Sequence, residues 1–275
     1  MTPAQRVSGK PTAPETEPLS KDQPPPDARS ASDAQPMGLS GRRLRRRPRA
    51  ITLDLDDTLW PMLPVLRSAE RALGDWLGLN APATARYLDV ETRMTLRQAV
   101  MADHPERAHD VGFLRLELLR RALRAAGESP FLAEPAFEAF MNARQQVTLY
   151  EDVLPILSAW SSQMPLVAVT NGNADLRRIG LADYFVGIVS AHEIGCAKPD
   201  PRVFHAACRI AGVEPAETLH VGDDLRLDVE GAIAAGMQAV WLLRADLADK
   251  HEVKPHDPSP AEDLYAIDSE LRDQR

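Results

Sequence analysis

Cysteine is scarce in this chain, with only Cys196 and Cys208 among 275 residues. Two thiols so placed form neither a disulfide framework nor a zinc-ligand spacing, so a stapled secreted fold is not expected and a reducing cytosol is. The seven histidines are scattered, which argues against a His-rich zinc centre. Missing too is a long apolar run after the arginine-rich stretch at 41–49, where the chain instead enters an acid-bearing segment. An export signal would need that run, so a cytoplasmic protein with no membrane partner is expected.

Charge is unevenly spread. The first 50 residues hold ten of the 32 Lys and Arg and five of the 40 acids, leaving 22 against 35 for the rest. An acidic body disfavours non-specific nucleic-acid binding and suits a site where carboxylates surround a metal. Residues 1–48 combine Pro, Ser, Asp and Gln without apolar periodicity and end in the Arg run. They are expected to be a disordered tail, with the arginines solvated in preference to contacting nucleic acid.

What is present begins at Ala50–Trp60, where Ile51, Leu53 and Leu55 read as a buried strand interrupted by Asp54 and Asp56. Carboxylates at the edge of an apolar core are costly unless paired or metal-bound. About 90 residues of helical spacing follow. Leu66, Ala69, Leu73, Trp76 and Leu77 predict one helix, and Tyr87, Val90, Met94 and Val100 a second. Phe113, Leu116, Leu119 and Leu123 predict a third, closed by Gly127, and Phe137, Phe140 and Met141 a fourth. From Asp152 onward strands and helices alternate. Strands are predicted at Leu166–Thr170, Val186–Val189, Thr218–Val221 and Ala239–Leu243, with a last edge strand at Tyr265–Ile267. The implied fold is α/β: a mainly parallel sheet with helices on both faces and an all-helical insertion after the first strand. The expected division is a tail at 1–48, a core of 49–60 plus 151–275, and an insertion at 61–150.

Ligands of such sheets gather beyond the carboxyl ends of the strands. There the sequence sets Asp54 and Asp56, then Thr170-Asn171-Gly172-Asn173, then Gly222-Asp223-Asp224 with Asp228 one helical turn on. A Thr hydroxyl before Asn-Gly amides can nest a phosphate. Five carboxylates at Asp54, Asp56, Asp223, Asp224 and Asp228 would repel one another unless a divalent cation and Lys198 intervened. All-oxygen ligands favour Mg2+. His220 reads as a satisfied strand-end histidine, and Asp57 as exposed.

Four segments in this order, Asp54-Leu55-Asp56-Asp57-Thr58, Thr170-Asn171-Gly172, Lys198-Pro199 and Gly222-Asp223-Asp224 with Asp228, resemble the motifs of the haloacid dehalogenase-like hydrolases. The resemblance runs from Arg49 to Leu271 and implies that family's Rossmann-like core, with the insertion as its C1 cap. It implies Asp54 as nucleophile, Asp56 as general acid and base, and Lys198 as charge neutraliser. It also implies Thr170 and the Asn171 amide as the phosphate grip, and Mg2+ on Asp54, the Asp56 carbonyl and Asp223, with Asp224 or Asp228 behind them. Three stretches, at 165–173, 180–185 and 220–241, resemble the branch that dephosphorylates FMN and 5-amino-6-(5-phospho-D-ribitylamino)uracil. A small phosphorylated metabolite is therefore the expected partner. The alternatives are another substrate such as a sugar phosphate or phosphoglycolate, a phosphomutase, and a noncatalytic binding module. A dehalogenase would need neither an acid at Asp56 nor a metal. Where many relatives carry an acid after the first motif, this chain has Trp60-Pro61. The indole is expected to pack under the cap in preference to stacking on a flavin or uracil ring.

Overall fold

A computed structural model describes residues 44, 46–248 and 253–274. Most of the tail predicted at 1–48 lies outside the described residues. The described part of it is packed: Leu44 is buried in the main core, and the Arg46 guanidinium donates to the Ala216 carbonyl at 2.6 and 2.9 Å. Chain tied to the body thus begins before residue 48, and Arg46 and Arg49, which pairs with Glu217 at 3.1 Å, are anchored arginines of the run.

Five parallel strands form one sheet: β1 (Ala50–Leu53), β2 (Leu166–Thr170), β3 (Gly187–Ser190), β4 (Thr218–Gly222) and β5 (Gln238–Trp241), in the order β3-β2-β1-β4-β5. The three central strands are buried at every residue. Layers on both faces explain why β2 reads as a continuous apolar run and not as alternation, and why Thr52 of β1 and His220 of β4 are buried against each other. The chain winds outward from β1 through β2 to β3, then returns to lay β4 on the other side of β1. That reversal opens a crevice at the carboxyl end of β1. Leu53 pairs with Ala168 on one side and Val221 on the other, so the residues just after β1, β2 and β4 reach the same rim.

Between β1 and β2 lie α1 (Met62–Asn80), α2 (Pro82–Tyr87), α3 (Val90–Asp103), α4 (Val111–Ala125), α5 (Ala133–Arg144) and α6 (Val153–Ser161). Helices α1 to α5 bury an apolar cluster of their own, from Ala69 to Phe140, separate from the sheet's. The expected single helix through Tyr87, Val90, Met94 and Val100 is two. Asp89 accepts from the Thr92 amide and starts α3 afresh, so Val90 and Met94 face outward and only Val100 is buried. Gly127, at φ 75°, stands just past α4 where a left-handed residue closes a helix.

Beyond β2 come α7 (Leu176–Ile179), α8 (Ala191–Ile194), α9 (Pro201–Ala211), a wide π-helical turn at Leu225–Glu230, α10 (Gly231–Ala234) and α11 (Leu264–Arg272). The edge strand predicted at Tyr265–Ile267 is instead part of α11. Asp263 caps the Ala266 amide, and Leu264, Ile267 and Leu271 turn one face to the core. Among the described residues, pairing beyond β5 is a single bridge, Leu242 to Ala261. Among the described residues no helix is long and apolar enough to cross a membrane.

Candidate active site

The strand ends bring chemistry together. One carboxylate oxygen each of Asp54, Asp223 and Asp228 lie within 4.8 Å of one another. Lys198 enters from the loop before α9, 4% exposed, and its ammonium donates to Asp54, to Asp228 at 2.6 Å and to the Val169 carbonyl at 3.1 Å. All three ammonium protons thus have acceptors. The Asn171 side chain fixes that loop, accepting from the Lys198 amide at 2.7 Å and donating to its carbonyl at 3.1 Å. Thr170 Oγ1 accepts from the Gly172 amide at 2.9 Å, which turns the backbone after β2 into a preformed nest.

Asp228 sits deepest. His220 Nε2 lies 3.1 Å from it, while Nδ1 meets the Thr52 hydroxyl at 2.8 Å. Burial pushes the His220 pKa down, so the ring is neutral. A neutral ring beside a carboxylate carries its proton on Nε2, which leaves Nδ1 to accept from Thr52. His220 is therefore the satisfied histidine its sequence position indicated. Asp224, adjacent to Asp223 in the chain, points elsewhere: its carboxylate accepts from the Arg226 and Leu227 amides and caps the π-helical turn. Of the two acids expected behind the metal site, only Asp228 reaches the cluster. Gly222 lies so close to the Asp228 carboxylate that a Cβ there would collide with it.

Asp56 stands apart from the cluster and holds two donors. Trp60 Nε1 reaches its Oδ1 at 2.9 Å, and Arg144 Nη2 reaches both oxygens at 2.7 and 2.6 Å. Trp60 is fully buried, so stacking on a substrate ring is ruled out for it. Asp57, expected to be exposed, is half-buried at φ 60° and accepts from the Met62 amide at 2.7 Å, starting α1. Arg244, from the loop after β5, donates to the Thr58 carbonyl at 2.7 and 3.1 Å and pairs with Asp152 at 2.7 Å, pinning the loop that presents Asp54 and Asp56. Neither Arg144 nor Arg244 was singled out from sequence.

The electrostatics ask for a cation. Burial, only partly offset by Lys198, raises the Asp54 pKa to about 7, and burial with repulsion from Asp54 and Asp228 raises that of Asp223 to about 9. Burial opposes ionisation of Asp228 as well, yet Lys198 and His220 outweigh it and hold the group below the usual carboxylate range. Burial also opposes the charge on Lys198, but Asp228 and Asp54 keep it an ammonium. Three carboxylates against one ammonium are undercompensated, and the protein alone resolves this by holding protons. A hard divalent ion on Asp54 and Asp223 fits this donor set.

A stability prediction follows from the same shifts. Asp54 and Asp223 hold protons in the folded protein at pH values where the unfolded chain, with carboxyl pKa near 4, has lost them. Without divalent cations this contribution is lost from about pH 4 upward, and between about pH 7 and 9, where Asp223 still holds its proton after Asp54 has ionised, the melting temperature should keep falling as pH rises. The lowered His220 acts below that window and does not offset the loss. Added Mg2+ should flatten the fall in scanning calorimetry; a flat profile with chelator present would contradict the assignment.

Beside Asn171 and Gly172 opens a cavity of about 790 Å3, walled by Phe113, Leu116, Phe137 and Met141 of the helical layer. Its lining mixes charges, with Arg107 and Arg177 against Asp110, Asp175 and Glu193 and with His109 and His192 beside them. Gly172 of its wall borders Asp56, and none of Asp54, Asp223 and Asp228 lines it.

Comparison with known proteins agrees with this arrangement. The family model described as haloacid dehalogenase-like hydrolase matches residues 48–236. The 5-amino-6-(5-phospho-D-ribitylamino)uracil phosphatase YigB of Escherichia coli is 37% identical over 70% of this chain and 82% of its own length. The phosphoserine phosphatase of Thermus thermophilus is 33% identical over 79% of this chain and 95% of its own. A crystal structure described as a 2-haloacid dehalogenase from Pseudomonas syringae superposes with a TM-score of 0.76 at 35% identity, over 83% of this chain and 100% of that one.

Proposed function

The chain belongs to the haloacid dehalogenase-like hydrolases, and on that premise we propose a Mg2+-dependent phosphomonoester hydrolase that works through an aspartyl phosphate on Asp54. Its similar relatives are phosphatases of small phosphorylated metabolites. The observation that carries the reading is the convergence of Asp54, Asp223, Asp228 and Lys198 at one rim, with Asp56 two residues beyond the nucleophile.

An oxygen of Asp54 attacks phosphorus, forming the acyl phosphate as the ester P–O bond breaks. Asp56 gives its proton to the departing alkoxide, then takes one from the water that hydrolyses the acyl phosphate and restores Asp54. Lys198 holds the Asp54 carboxylate in place and balances charge beside it. Thr170 and the Asn171 amide cradle the phosphoryl oxygens. Asp54, the Asp56 carbonyl and Asp223 would hold the Mg2+, which when bound neutralises the phosphoryl oxygens and keeps Asp54 ionised. Asp228 supports from behind by fixing Lys198. A dehalogenase would have no alkoxide to protonate and no use for the carboxylate cluster, so the activity named for the Pseudomonas syringae protein is not carried over to this chain.

We read residues 61–150 as the cap over a core of 49–60 and 151–275, with the leaving group lying in the cavity between helical layer and strand ends. Support for FMN or 5-amino-6-(5-phospho-D-ribitylamino)uracil as substrate comes from the YigB likeness and from Phe113 and Phe137 in that cavity's wall. A ring stacked there would gain about 1 kcal/mol beyond area burial. Purified protein with Mg2+ should favour FMN in a panel that includes phosphoserine and sugar phosphates. Phe137→Ala should raise the KM for FMN about tenfold and that for phosphoserine much less. A wide preference for a sugar phosphate or phosphoserine would overturn the substrate and leave the reaction standing.

A further inference from the structure

Arg144 ends α5, and although it is an arginine on a solvent-bathed layer of helices, its residue is 1% exposed. Its Nη2 is committed to both oxygens of Asp56, at 2.7 and 2.6 Å. Its Nη1 is equally buried and has no acceptor among the described residues. A buried donor left without an acceptor costs about 1–3 kcal/mol, and more when it is charged. Guanidinium nitrogens are rarely stranded this way unless something anionic completes them.

The surroundings say what would complete it. A Cβ placed on Gly172 would sit 2.8 Å from Asp56 Oδ2, 3.2 Å from Thr170 Oγ1 and 3.6 Å from Arg144 Nη2. The general acid, the phosphate-cradling hydroxyl and the guanidinium thus close around the backbone at Gly172, packed so tightly that a side chain at residue 172 would collide with Asp56. Two neighbours on the same helix end hold α5 in this seat. Gln145 accepts from the Asp175 amide at 2.8 Å and donates to the Asn173 carbonyl at 3.3 Å, and Asn173 Nδ2 meets Met141 Sδ at 3.3 Å.

We propose that Arg144 is a phosphate-binding residue of this site, with Nη2 orienting Asp56 and Nη1 donating to a non-bridging oxygen of the substrate's phosphoryl group. This rests on the phosphomonoester reading above and adds to it that the helical layer, and not only the sheet, supplies part of the phosphate grip. One side chain then fixes the distance between the acid and the group whose leaving oxygen it protonates. An arginine serving only to anchor α5 would leave phosphate affinity unchanged.

The test compares wild type with Arg144→Ala and Arg144→Lys, using inorganic phosphate as probe. Calorimetric affinity for phosphate in the presence of Mg2+ should weaken at least about tenfold in both variants, and kcat/KM should fall about 100-fold in Arg144→Ala. Added guanidinium ion should restore part of the Arg144→Ala activity, which repair of a mere anchor would not do. Phosphate affinity and kcat/KM within about twofold of wild type in either folded variant would overturn the proposal. Should Arg144→Ala fail to fold, Arg144→Lys decides alone, because it keeps the charge and loses the second donor. A wild type that binds phosphate but hydrolyses no monoester sinks the phosphatase reading while the affinity comparison still judges Arg144. A wild type that does neither overturns both.

Discussion

Asp54→Asn is expected to reduce kcat by about 10^4-fold or more while the protein stays folded, because in the proposed mechanism the substitution removes the attacking oxygen and it keeps the side chain's shape. The amide still offers an oxygen toward Lys198, so the buried ammonium retains an acceptor beside Asp228 and Val169. Stability should change little, and melting should rise at alkaline pH, where the wild-type carboxylate is forced to ionise among Asp223 and Asp228. Steady-state kinetics with Mg2+ and a circular-dichroism melt test both halves. Retention of more than a few per cent of turnover would place the nucleophile elsewhere.

Lys198→Met should do the opposite to the fold. The ammonium sits between Asp54 and Asp228, nearly sealed from water, and its removal leaves two buried carboxylates facing Asp223 without compensation. Breaking a buried pair by deleting one partner costs about 3–5 kcal/mol, a large share of the roughly 5–15 kcal/mol that holds an ordinary domain together. Urea denaturation should show that loss, and Mg2+ should recover part of it by supplying positive charge to the same acids. A variant as stable as wild type without divalent ions would mean that the carboxylates are not held together as described.

Strand β2 was legible because burial on both faces leaves a plain trace: Leu166–Thr170 is apolar up to its last residue, whereas Thr218–Gly222 carries His220 inside it, buried and satisfied by Thr52 and Asp228. Helix α9 carries both boundary signals in its sequence, with Pro201 at its first turn and Gly212, at φ 67°, closing it. Tyr265–Ile267 misled because three β-favouring or neutral residues cannot show a period. What decides the segment is Asp263 at the cap and the spacing of Leu264, Ile267 and Leu271. At Val90 and Met94 the apolar residues were real but outward-facing, and the break at Asp89 was the signal to heed.

Within the site, residue types and strand ends predicted the cluster of Asp54, Asp223 and Lys198. They could not separate Asp224 from Asp228. Both follow the same strand, and only the backbone turn that aims Asp224 at the Arg226 and Leu227 amides distinguishes them. Arg144 did leave a trace. Ala133, Ala136 and Phe140 mark the buried stripe of α5, and Arg144 is the next residue on it, a charge where the pattern calls for an apolar side chain. Arg244 had no such pattern around it, because its partners, the Thr58 carbonyl and Asp152, meet it only through the tertiary fold.

The central claim is that Asp54 itself becomes phosphorylated. Rapid quenching of wild type during turnover, followed by borohydride reduction, converts an acyl phosphate of aspartate to homoserine at the modified position. Peptide mass spectrometry should find homoserine at residue 54 when Mg2+ and substrate are both present and aspartate there when substrate is withheld. Turnover with residue 54 unchanged under the same quench, or homoserine at any other acid, would contradict the account.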